Sequence, residues 1–366
     1  MRANGHVDCV VSDTLFCDTR SRAVACSLPP ARVAWRVPMV SGSSRRVLVG
    51  LAVGVPISGA FLWLAVRSAD LDAVRRTLEE ARAGHVGLAI AAIAVMYGFQ
   101  AVRWRLIASS PQVRVARFYE MVLSGLACNN VLPARLGDLL RARWLGREAK
   151  IPAGRALGTV VLDRGCDVAA LLAFLVLGLA AVASSGWLVR IAVGAAAALA
   201  GLTAVVLFAR LYTGRRSRDR RERGLARRVL RDLVEMLAEP LGRRRVATWI
   251  GLSLGAWTMW AVAAMLVARS LGLELALVDA MFVAAVMNLG VAIPSSPGFV
   301  GTYEWLGVAS LGLLDIASEG ALAFAILLHA SWYVPTTLAG GTALAVRGVL
   351  QMRRAREAKT AAEAVK

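Results

Sequence analysis

Apolar residues in this chain come in long blocks, without the short alternation that a half-buried strand requires. Six blocks, at 47–66, 86–102, 168–183, 188–208, 250–268 and 321–346, hold almost no charge. At about 1.5 Å per residue, such blocks span most or all of a hydrocarbon layer about 30 Å thick, so each predicts a transmembrane helix. Trp63, Trp104, Trp187 and Trp249 stand at or near block ends, where indole rings anchor helices at the interface. Two further apolar stretches, 118–132 and 278–293, run instead into polar segments containing Asn, Pro and Gly. These predict helices that enter the bilayer, break, and leave on the side they came from. The fold class expected is all-α: a polytopic membrane protein with about six full transmembrane helices plus two opposed re-entrant broken helices, arranged as a candidate inverted repeat.

Composition agrees. Of 366 residues, 58% are hydrophobic and 18% charged, with a mean hydropathy of +0.60. Soluble domains hold about 45–50% apolar and about 25% charged residues, so a soluble enzyme is not the class to expect. A net charge of +19 would suggest nucleic acid in a soluble protein, but here the basic residues lie between apolar blocks. Nucleic acid is therefore not an expected partner. With both termini cytoplasmic and the two odd stretches re-entrant, most of the 43 Lys and Arg fall on the inner side, as the positive-inside rule requires. If 118–132 crossed fully, Arg135, Arg141, Arg143, Arg147 and Lys150 would all lie outside. A multi-pass protein of the plasma (inner) membrane is expected, with membrane lipids, anionic ones first, as partners.

Three regions follow. Residues 1–46, with seven arginines and three prolines, read as a disordered tail or as a leader preceding a translation start at Met39. Residues 47–346 form the transmembrane domain, and 347–366 a basic cytoplasmic tail. Inside the domain, 209–248 is a basic cytoplasmic loop in which Leu225, Val229, Leu230, Leu233, Val234 and Leu237 give the stripe of an amphipathic helix on the membrane surface. A plain solvated linker is the alternative there. Cys9, Cys17, Cys26, Cys128 and Cys166 match no metal-pair spacing, so neither metal nor cofactor is expected.

The two polar breaks carry the candidate chemistry. The first contains Asn129, Asn130, Pro133, Arg135, Gly137 and Asp138, followed by Arg141. The second contains Asn288, Pro294, Pro297, Gly298, Gly301 and Glu304. Pro and Gly shape the turns, Asn can satisfy freed backbone groups, and half-helix ends offer N–H or C=O groups to a ligand. Asp163, Arg164 and Asp167 lie at i, i+3 and i, i+4 spacings and can share one helix face. They read either as a structural Arg–Asp pair or as a phosphate-binding arginine held by acids, since a guanidinium offers two parallel bonds to phosphate. Arg135 and Arg141 read equally as positive-inside anchors. Glu304 could pair with a lipid amine or an arginine, or face outside water. His329 reads as a packing histidine before a proton relay.

The Asn-x-x-x-Pro-x-Arg-x-Gly-Asp segment, the Asp163-Arg164-x-x-Asp167 segment, the Pro and Gly run of 294–304 and the Arg103-Trp104 pair together resemble the transmembrane region of lysylphosphatidylglycerol synthases. The resemblance runs from about residue 45 to residue 350. It implies a flippase-like protein that moves a phospholipid between leaflets, with aminoacyl transfer reserved for a separate C-terminal domain. Only 20 residues follow Val346, so the resemblance implies translocation without synthesis. This chain departs from the family in having Asp138 and Asp163 where Glu is common, and Phe299 where a second Gly is usual.

The function expected is lipid translocation, of an anionic or aminoacylated phospholipid or a polyprenyl lipid, without catalysis. The alternatives are an intramembrane lipid-linked glycosyltransferase and a non-transporting scaffold for a lipid-modifying enzyme, which would then be a partner. Asp70-Leu71-Asp72 stands in the first external loop, where such transferases place acids, yet Asp70 also reads as the N-cap of a helix over 71–83. No HExxH, GxSxG or P-loop pattern is present.

Overall fold

The computed structural model describes residues 43–132, 136–182, 242–291 and 296–364, with a few positions between 194 and 236. The expected N-terminal tail up to residue 42, the 188–208 span, most of the 209–248 loop, and Pro133, Arg135 and Pro294 lie outside the described residues. Among the described residues, regular structure is entirely helical. The helices are α1 (Ser43–Val66), α2 (Leu71–Glu79), α3 (Ala83–Ala108), α4 (Val115–Val131), α5 (Leu136–Glu148) and α6 (Ala153–Val182). They continue as α7 (Arg243–Ser270), α8 (Leu277–Gly290), α9 (Thr302–Gly312) and α10 (Ser318–Ala364), with a 3-10 turn at Pro297–Phe299 between α8 and α9.

Among the described residues, three helices are long and apolar enough to cross a membrane: Ala83–Ala108, Arg243–Ser270 and the Ser318–Leu350 part of α10. Their exposed faces are greasy, with Leu88, Val95, Ile250, Leu254, Val334 and Leu338 all open. Buried polar groups, by contrast, include Arg103, Arg141, Asp163 and Glu304. Large apolar side chains outside and ions inside suit a hydrocarbon solvent rather than water. The four helices at the two breaks are short. α4 has 17 residues, α5 has 13, α8 has 14 and α9 has 11, or about 16–26 Å each. Each pair folds back on itself as a hairpin, α4 on α5 and α8 on α9.

Packing repeats. The order long, short, short, long appears as α3–α4–α5–α6 and again as α7–α8–α9–α10. Contacts of α4 with α10, α3 with α4, α5 with α6 and α3 with α6 are each matched, by α8 with α6, α7 with α8, α9 with α10 and α7 with α10. The corresponding helices α3 and α7 pack on one another, antiparallel. At one end Arg82 N donates to Ser270 O at 3.0 Å, and at the other Arg245 bonds Ser109. The helices that open the two sets therefore run in opposite directions where they meet.

α2 forms where expected. Asp70 caps it, with Oδ1 accepting from Asp72 N at 2.9 Å, though the helix ends at Glu79 rather than residue 83. α3 departs more usefully. Its apolar block closes at residue 102, which suggests a loop arginine next, but the helix continues to Ala108 and carries Arg103 into the interior.

Candidate functional site

The first break is held by the helix before it. Asn129, in the last turn of α4, accepts at Oδ1 from Gly137 N of α5 at 2.7 Å, satisfying one of the N–H groups that a helix start leaves open. Gly137 is required there, because a Cβ would lie 1.8 Å from the Gly125 carbonyl oxygen. The hairpin is therefore backbone against backbone, and it turns Asp138, in the first turn of α5, toward α6. Asn130 faces α10, where its Nδ2 donates to Thr337 Oγ1 at 2.8 Å.

Six ions gather beside this turn. Arg103 Nη2 donates to Asp163 Oδ1 and to Asp167 Oδ1, both at 2.8 Å. Its Nη1 donates to Ser253 Oγ at 2.9 Å. Arg141 Nη2 donates to the other oxygen of Asp163 at 2.9 Å, and its guanidinium lies 4.2 Å from the centroid of the Trp104 ring. Arg164 Nη1 donates to Asp167 Oδ2 at 3.2 Å, and its Nε lies 3.5 Å from Asp138 Oδ1. The helical spacing of Asp163 and Asp167 does what was expected, setting both on one face, where they share Arg103. Three guanidiniums meet three carboxylates, so the cluster is neutral as a unit. Ions this deep persist only when paired in this way.

Access divides the cluster. Side-chain exposure is 0% for Arg103, 1% for Arg141 and 35% for Arg164. Arg164 is thus the member that opens onto a cavity, while Arg103 and Arg141 fix the carboxylates around it. Arg141, expected as a headgroup ligand or an anchor, sits behind the wall.

The second break is built differently. Pro297 opens the 3-10 turn, after which Gly298 and Phe299 have φ of 77° and 61°. Phe299, the residue that replaces the usual Gly, therefore adopts a left-handed backbone that costs an L side chain about 1–2 kcal/mol. Gly301, at φ 87°, starts α9, and a Cβ on it would meet the Ser58 carbonyl oxygen of α1 at 2.2 Å. Ser58 Oγ also accepts from Ser296 N at 2.8 Å, so α1 clamps this turn. Glu304, in the first turn of α9, accepts at Oε2 from Gly301 N at 2.5 Å. Its Oε1 lies 2.6 Å from His329 Nδ1 of α10. Glu304 is buried and does not face outside water.

A cavity of about 210 Å³ lies between the two breaks. From the first half it is lined by Asn129, Asn130, Asp138, Arg164 and Asp167, with Tyr97 and Gln100 of α3. The second half gives Asn288, Phe299 and Tyr303. Trp257, Trp260 and Trp332 add an aromatic face, Met96, Leu126, Val168, Leu171, Leu289 and Val291 an aliphatic one, and Trp257 Nε1 donates to Asp167 Oδ1 at 3.1 Å. Asn288 itself back-bonds within α8, donating to Ala284 O at 2.8 Å. Of the other expected site residues, Gly137, Pro297, Gly298 and Gly301 shape the turns, and Asp163 and Glu304 stand behind them. Sequence reasoning missed Arg103, Gln100 and the tryptophans of α7 as site residues. Arg103 carried a signal, as half of the Arg-Trp pair, but its position at a block end read as an interface.

Fold and site define a helical membrane protein with a cavity between two helix breaks, its wall mixing charged and amide groups with apolar side chains. The profile of the Lysylphosphatidylglycerol synthase TM region family matches residues 47–340. The chain belongs to that family and is a multi-pass membrane protein. It is also 27% identical over 352 residues to Glycosyltransferase AglD of Haloferax volcanii, an alignment covering 84% of this chain and 56% of that protein. The chain thus spans little more than half the length of that relative.

Proposed function

We propose that this protein is a lipid translocase of the plasma membrane, with about six full spans, two re-entrant broken helices and cytoplasmic termini. The lipid is an anionic or aminoacylated phospholipid or a polyprenyl lipid, whose chains stay in the bilayer while its headgroup enters the cavity. One observation carries the reading: two helix breaks at matching places in the helix order line one cavity, of mixed polar and apolar wall, into which Arg164 brings a guanidinium. The antiparallel packing of α3 on α7 supports reading the halves as an inverted repeat, with the breaks pointing in from opposite faces. Rocking of one half against the other would open the cavity to each leaflet in turn. Arg164 would hold the phosphate, with Asp138 and Asp167 keeping the guanidinium oriented.

The test is scrambling in proteoliposomes. Headgroup-labelled phosphatidylglycerol, read by a membrane-impermeant quencher, should become exposed by wild type and far more slowly by a folded Arg164→Ala variant. Equal rates would remove Arg164 from the site, and no exposure with any of several headgroups would remove the translocase reading.

The printed name of the Haloferax relative favours a second reading, a lipid-linked glycosyltransferase. Transfer of labelled sugar from a nucleotide sugar to polyprenyl phosphate by the purified protein would support it. Against it, the Asp70 carboxylate is occupied as a helix cap.

A further inference from the structure

Glu304 and Asp138 hold the same place in the two halves, the third residue of the second short helix at each break. Their partners on the following long helix differ. Asp138 meets Arg164 there, and Arg141 within its own helix, and a guanidinium's charge is permanent in proteins. Glu304 meets His329, the kind of side chain whose charge changes between about pH 5 and pH 8.

Both members of this second pair are 6% exposed. Glu304 is fully engaged, by Gly301 N and by His329 Nδ1. His329 is not, since Nε2 is buried and has no hydrogen-bond partner among the described residues. A buried ring nitrogen without a partner is costly unless something binds it. Among the described residues, no arginine, lysine or further acid bonds the pair. The titratable groups nearby are phenols: Tyr303 on α9, Tyr333 on α10, and Tyr97 of α3 beyond Tyr303. Around α9, α1 meets Gly301 through Ser58 and Leu62, and α8 meets Gly307 and Leu306 through Met287 and Gly290; none of these titrates in the physiological range. A rigid aromatic wall backs the ring, with Tyr303 and Trp332 centroids 4.6 Å and 5.3 Å from it. Tyr303 and Trp332 also line the central cavity, which joins the pair to the headgroup's space.

We propose that Glu304 and His329 form a proton-binding site that couples lipid movement to a pH gradient; the coupling rests on the translocase reading. In the unloaded state the Nδ1–H of neutral His329 donates to the Glu304 carboxylate, and Nε2 carries a lone pair. A proton entering from one face binds Nε2, giving an imidazolium beside the carboxylate. Return of that proton to the opposite face, after the halves rock, restores the neutral ring. The first half cannot do this, because its cations do not release protons. It holds the headgroup, and the second half reads the gradient.

The experiment uses the full chain in proteoliposomes, with labelled phosphatidylglycerol, membrane potential clamped at zero, and a one-unit pH difference imposed. Coupling of one proton per lipid predicts a leaflet ratio moving from one-to-one toward about tenfold, and a return to one-to-one in His329→Gln. Lipid that moves but settles at one-to-one in wild type overturns the proposal and leaves the translocase reading standing. If no lipid moves, tryptophan fluorescence in detergent decides, because an imidazolium stacked on Trp332 quenches it. His329 is one of three histidines in the chain. A quench between about pH 8 and pH 5 that is lost in both His329→Gln and Trp332→Phe supports the proton site. An unchanged quench in the two variants overturns it.

Discussion

The two halves of this protein share a packing plan and differ in what they place at its centre. In the first half, α5 begins under a cap lent by Asn129, and its acid joins a network of three arginines and three aspartates. In the second, α9 begins under its own Glu304, and that acid meets one histidine in an aromatic box. The first centre is always charged and neutral only in sum. The second pairs one carboxylate with one imidazole. One half thus keeps a permanent ionic lining, and the other holds the pair proposed above as a proton site.

The sharpest way to break this comparison is to remove the central carboxylate of the first half. Asp163→Asn leaves the buried Arg103 and Arg141 undercompensated, and thermal unfolding in detergent should show a loss of about 3–5 kcal/mol or no folded protein. Its counterpart on α10, His329→Gln, removes a single partner from Glu304 and should cost only about 1–3 kcal/mol. Equal losses would erase the distinction between a structural network and a functional pair.

The turns should respond alike. Gly137→Ala and Gly301→Ala each force a Cβ into a backbone oxygen, and each should cost at least about 1–3 kcal/mol, read as a lower melting temperature. Gly251→Ala is the control, because nothing lies within 4 Å of its Cβ position. It should be neutral or slightly stabilising through helix propensity. The smallest loss expected is that of Asp70→Ala, outside both halves, where losing the cap of α2 should cost about 1 kcal/mol.

Much of this plan was legible in the sequence, for definite reasons. Long apolar blocks can be little else in a chain of this composition, so α1, α3, α7 and α10 appear at the expected places. The breaks announced themselves because Asn, Pro and Gly rarely follow half a span without a purpose. The i, i+4 spacing of Asp163 and Asp167 gave their shared face. Partners across helices stayed hidden. Nothing in the order of residues says that Arg103 bridges those two acids from α3, or that His329 meets Glu304, because both contacts arise from packing between distant segments. Block ends also misled: a charge closes an apolar run on paper, yet a helix continues past it when a counter-ion waits inside.

Photocrosslinking with phosphatidylglycerol that carries a photoactivatable group on its headgroup tests the central claim most directly. In proteoliposomes, mass spectrometry should find adducts on the cavity wall, at Trp257, Trp260, Asn288 and Trp332. These should fall away in Arg164→Ala. Adducts confined to the outward faces, at Leu88, Val95 or Leu338, and unchanged by that substitution, would contradict the account.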